Sequence, residues 1–302
     1  MRQALLVAPI VSLVACELPS EDYSPLLPDT RLLIEQNDAA GLARAAGEPS
    51  HYAEVLNDLT TQTNEGLGAV LELIGTVTEL PPSHLDNGAE LVVWGPWAVE
   101  GVFGQLTIQG QDDGSLEWAL QFRPEDQEDW VDGLIGVIDA GSTEEASTGR
   151  FTIDFSVAQT FEEIDGITGA VSVDYDIAAN GAVAEVSFTQ VSAEGVMPRD
   201  GTLRYAHTRG EGGQLDTVLE ENVDGTDTDA PETIQTRARW DGTGAGRTDA
   251  ELSGGDLGSA PHSETECWGS ARTVTYYANT FTLEVDGESA LCAFATPEFF
   301  GD

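Results

Sequence analysis

From Glu90 onward, apolar and polar residues alternate in short runs. In FTIDFSV, Phe151, Ile153, Phe155 and Val157 alternate with Thr152, Asp154 and Ser156. That period of two places every apolar side chain on one face of a strand. VSVDYDI repeats it with Val171, Val173, Tyr175 and Ile177, and LEWALQF with Leu116, Trp118, Leu120 and Phe122. Turn signals separate the runs at DDGS (112–115), AANG (178–181), PRDG (198–201) and GEGG (210–213), and tight turns of this kind join antiparallel neighbours. The glycines of DGTGAGRTD read as one more hairpin turn rather than a phosphate loop, because the spacing is wrong and no helix follows. The pattern predicts a mainly β fold, a large antiparallel meander of about ten or more strands with one apolar and one polar, acidic face. A sheet that wide curls into a barrel or a half-barrel.

The first part of the chain follows a different period. Residues 29–80 read as a helical segment. Asp29 is a candidate N-cap and Gly47 a candidate stop for a first helix. From Ser50 to about Thr78, Tyr52, Val55, Leu56, Leu59, Leu67, Val70, Leu71 and Ile74 recur at threes and fours, as one face of an amphipathic helix requires. Gly66 and Gly68 predict a bend or break within it, and Pro81-Pro82 ends it. This helix is the natural cover for the open side of a curved sheet. Residues 81–302 form the antiparallel β domain.

Residues 1–15 carry one basic residue, Arg2, then an apolar run, the layout of a secretory signal too short to span a bilayer. The run ends in Leu13-Val14-Ala15-Cys16, which resembles the bacterial lipobox. The resemblance implies cleavage before Cys16, fatty acylation (palmitate-type chains) of that cysteine, and a lipid-anchored protein of the cell envelope. Glu17 at the next position favours the outer membrane. Two or more acyl chains hold a protein on a membrane stably. Residues 16–28 then serve as acylated cysteine and tether, rich in proline and acid.

Charge narrows the partners further. The 302 residues carry 54 acids against 12 arginines and no lysine, a formal charge of −42. Such a surface repels nucleic acid and anionic headgroups, so nucleic acid is excluded as a partner. Cys267 and Cys292, the two remaining cysteines, predict a disulfide in an exported compartment. Its loop of about 25 residues stabilises by roughly 3–4 kcal/mol in the chain-entropy view. Zinc is disfavoured there because only His262 lies near in sequence.

Catalytic motifs are absent from the sequence. The four histidines, His51, His84, His207 and His262, show no zinc-site spacing, and no serine sits in a nucleophile elbow. The expectation is a non-enzymatic protein, with a hydrolase as the remote alternative. Two ligand signals remain. Trp94, Trp97, Trp118 and Phe155 could line an apolar site for a lipid or other apolar ligand. In NVDGTDTDAPE, Asn222, Asp224, Asp227, Asp229 and Glu232 supply hard oxygen ligands suited to calcium, although the order departs from an EF-hand loop.

Lipidated cysteine, tether, helix and a greasy curved sheet together resemble the lipoprotein-carrier architecture of the LolA and LolB kind. The C-terminal ECWGSARTVTYYAN with LCAF resembles uncharacterised lipoproteins of myxobacterial type. The carrier resemblance implies a membrane-tethered module that holds an acyl chain or other apolar ligand against its sheet. The alternative is an acidic structural or adhesive surface lipoprotein that binds calcium.

Overall fold

The computed structural model describes residues 23–35, 48–86, 90–99, 101–158, 168–192, 199–221 and 231–295. Fifteen strands follow one another: β1 (His84–Asp86), β2 (Leu91–Val99), β3 (Val102–Gly110), β4 (Leu116–Pro124), β5 (Val131–Ile138), β6 (Ser147–Asp154), β7 (Thr168–Ala178), β8 (Gly181–Ser192), β9 (Arg199–Thr208), β10 (Gly212–Glu221), β11 (Glu232–Asp241), β12 (Gly246–Gly254), β13 (Gly258–Trp268), β14 (Val274–Asn279) and β15 (Val285–Gly287). Every strand pairs antiparallel with its sequence neighbours, in unbroken order from β1 to β15. The meander is therefore as expected, and it stays open: β1 and β15 do not meet among the described residues.

Helix α1 (His51–Thr78) lies across the apolar face. Its N-cap, Ser50, is bonded to Glu266 on β13, and just past its other end the Leu80 carbonyl accepts from Trp94 Nε1 on β2 at 2.9 Å. Residues 50 to 80 span about 45 Å as a helix. Eleven strand spacings separate β2 from β13, about 53 Å along a sheet. A flat sheet would outrun the helix, so the sheet must curve around it.

The core forms between these layers. Leu67, Leu71, Ile74 and Val77 of α1 pack with Ile108, Trp118, Phe151, Val173, Val186 and Leu203 from successive strands. The α1 helix runs through Gly66 and Gly68 without the expected break. Gly66 is exposed and Leu67 buried, so the cost of a glycine is set against an apolar face that packs continuously. No described helix is long and apolar enough to cross a membrane.

Three local expectations are corrected. The strand expected over FTIDFSV ends at Asp154, whose Oδ1 accepts from Ser156 N and Oγ at 2.8 and 2.6 Å. Phe155 instead opens a single helical turn, α2 (Phe155–Ala158). In PRDG, residues 199–201 belong to β9 rather than to a turn. Asp29 does cap, accepting from Arg31 N, but it caps one 3-10 turn over Thr30–Leu32.

The opposite face of the sheet carries a ladder of charge. Arg150, Asp174, Glu185, Arg204, Asp216, Arg237 and Asp249 stand in one register across β6 to β12. Arg204 reaches Glu185 across strands at 2.8 Å, and Arg247, outside that register, reaches Asp249 along β12 itself at 2.8 Å. Cross-strand pairs of opposite sign each stabilise by roughly 0.2–1 kcal/mol, which gives several of the scarce arginines a local role.

Candidate functional site: the concave groove

The concave face between sheet and helix is where an apolar ligand was expected, and the chain fills it. Trp94 and Trp118 are buried in the core. The Trp118 ring packs toward Phe151, with centroids 6.1 Å apart. Trp97 is half-buried, its ring lying over Gly104, and Phe155 is half-buried at the start of α2. All four pack in or against one apolar core, two as its interior and two at its margin. Between α1 and strands β11 to β13, a cavity of about 40 Å³ remains beside Leu56, Thr60, Trp240 and Trp268.

What closes the groove is residues 23–35, a strap whose first six residues, 23–28, belong to the stretch expected to be tether but pack into the core, with Leu27 buried and Tyr23 and Leu26 against it. Leu27, Leu32 and Ile34 are buried in the same core as α1 and the sheet. The strap's backbone is held at several points. Ser147 Oγ on β6 donates to the Leu26 carbonyl at 2.9 Å, and Tyr205 Oη on β9 donates to the Leu32 carbonyl. Asn64 on α1 grips Ile34 twice, accepting from its N–H and donating to its carbonyl, each at 2.8 Å. Glu35 Oε2 accepts from Gly210 N in the turn after β9 at 2.6 Å. Paired amide contacts of the Asn64 kind read an extended backbone whatever its side chains. The sequence signal for the strap was the apolar doublets of LLPDTRLLI; without a period, they did not reveal that this stretch would be buried.

Two titratable groups lie at the rim of this core. Glu266 is buried beneath the first turn of α1, bonded to Ser50 Oγ and, at 3.0 Å, to Tyr52 N. Burial raises its carboxyl above the ordinary value, while these two bonds lower it. His207, stacked on Tyr205 with centroids 6.3 Å apart, is buried, and burial lowers its imidazole.

The remaining candidate residues divide. The sulfurs of Cys267 and Cys292 lie at disulfide distance, 2.13 Å. Cys16, Asp224, Asp227 and Asp229 fall outside the described residues. Glu232 is the first residue of β11 and is buried. Among the described residues, no group of three or more histidine, cysteine or carboxylate side chains is placed to hold a metal. The chain matches no family model, no curated protein and no solved structure.

Proposed function

We propose that this is an acyl-anchored envelope lipoprotein whose domain is a non-enzymatic binding module for an apolar chain, taken into the concave groove in place of the strap. The observation that supports this reading is the occupant itself. A segment of two 3-10 turns, Ser24–Leu26 and Thr30–Leu32, with short non-helical links already lies between helix and sheet, with Leu27, Leu32 and Ile34 buried and its backbone held by Ser147, Asn64 and Tyr205. The strap's hold on the core is mainly the burial of these aliphatic side chains, and an acyl chain taken into the same place would bury apolar surface of the same kind.

The position of the strap fits an anchored protein. Covalent geometry limits the seven-residue path from Cys16 to Tyr23 to about 25 Å. An acyl anchor would thus sit close to one end of the groove. Native mass spectrometry of the domain exported from Glu17 tests the reading, before and after mild delipidation. The expected result is a co-purifying apolar mass that delipidation removes. No bound mass, with a melting temperature indifferent to fatty acids and raised by calcium, would leave the acidic, calcium-binding surface protein as the better reading.

A further inference from the structure

We infer that the β14–β15 hairpin is a docking edge for an extended segment of a partner protein in which cationic and apolar residues alternate. Phe281, Leu283, Val285 and Leu291 are 68, 83, 70 and 59% exposed, and all fall within or just after this hairpin. Elsewhere the large exposed apolar residues are spread thinly, as with Val55, Ile135 and Val183, and scattered single residues of that kind are ordinary. A concentration of them on one protruding element marks an interaction surface.

The backbone supplies the second half of the argument. Asn279 N donates to the Glu284 carbonyl, and Glu288 N donates to the Thr275 carbonyl. Bonds from an antiparallel strand alternate in direction along it. The groups at 284, 286 and 288 therefore face β14, and those of Val285 and Gly287 face away from the sheet, where Gly287 N donates to Asp286 Oδ1 at 2.8 Å and Val285 presents its N–H and carbonyl. Since β15 is last in the strand order, this outward edge can accept a further strand, the β-augmentation mode of peptide recognition.

Charge selects the occupant. Glu284, Asp286 and Glu288 alternate with the apolar residues along the edge, and the chain carries −42 overall. A second copy would bring acid against acid, and an anionic membrane would be repelled in the same way. A strand that alternates lysine or arginine with aliphatic residues satisfies both the apolar side chains and the carboxylates. The edge is also held ready: Cys292, directly after the Ser289–Leu291 turn, lies at disulfide distance from Cys267 on β13.

The test uses the purified full chain and a short synthetic peptide alternating lysine and valine, with a glutamate–valine peptide as control, titrated by calorimetry. The lysine peptide should bind, more weakly as salt rises, and the control should not. Val285→Pro removes an outward N–H without touching a β14 bond, and it should weaken binding at least about tenfold with the melting temperature unchanged. Leu283→Ser, which leaves the backbone intact, should weaken binding to a smaller extent. Absence of binding to the wild-type chain would overturn the proposal, as would equal binding by V285P. So would V285P-sensitive self-association in sedimentation, or V285P-sensitive binding of the Cys16→Ser chain to phosphatidylcholine vesicles.

Discussion

Gly246 stands across from Trp268, and a Cβ built there would lie 2.3 Å from the Trp268 ring and 2.7 Å from the Arg239 carbonyl. Gly136 sits the same way against Trp118, and Gly104 against Trp97. Large rings on the inner face are thus accommodated by an absent side chain on the neighbouring strand. Gly246→Ala should destabilise the protein by about 1–3 kcal/mol through overpacking. Gly66→Ala, on the exposed side of α1 with nothing within 4 Å of the new methyl, should stabilise by about 0.5–1 kcal/mol. Thermal melts of the two variants check both signs; a G246A protein as stable as wild type would mean that Trp268 does not sit over this glycine. The sequence showed which positions are apolar but not these pairings. A ring and its glycine lie on different strands, and their register depends on every turn between them.

At the scale of elements, the sheet was legible because its residues alternate and its turns carry glycine, asparagine and aspartate. Legibility ended where one residue decides. Alternation continues through Phe155 and Val157 in sequence, yet the Asp154 carboxylate captures Ser156 and turns the chain. The junction of α1 with β13 was equally hidden, since Ser50 and Glu266 are far apart in sequence. That junction makes stability depend on pH. Glu266 is held above its ordinary value of 4.5 chiefly by burial, so the folded chain keeps a proton that the unfolded chain releases. Stability from this group therefore falls as pH rises from 4.5 through the raised folded value. The melting temperature of wild type minus that of Glu266→Gln should decline over that window and then level off. A difference that is flat or that climbs would show that the carboxylate is not kept from water at the helix start.

On the scale of the whole molecule, the fold is an open fifteen-strand sheet wrapped on one helix, with a groove closed by the chain's own strap. The sheet and its covering helix followed from periodicity. The strap did not, because two isolated 3-10 turns with short links set up no lasting period, and the strap's mates, Ser147, Tyr205 and Asn64, come from three different elements. On the proposed reading, the strap's place in the groove means that an apolar ligand can enter only as the strap leaves. Hydrogen exchange across residues 23–35, with and without a saturating long-chain fatty acid, tests this most directly. The account predicts that the Ile34 amide, protected by Asn64 Oδ1 in the free protein, loses protection when the acyl chain binds, while the amides of β7 and β8 keep theirs. Fatty acid that leaves the Ile34 amide as protected as before would contradict it.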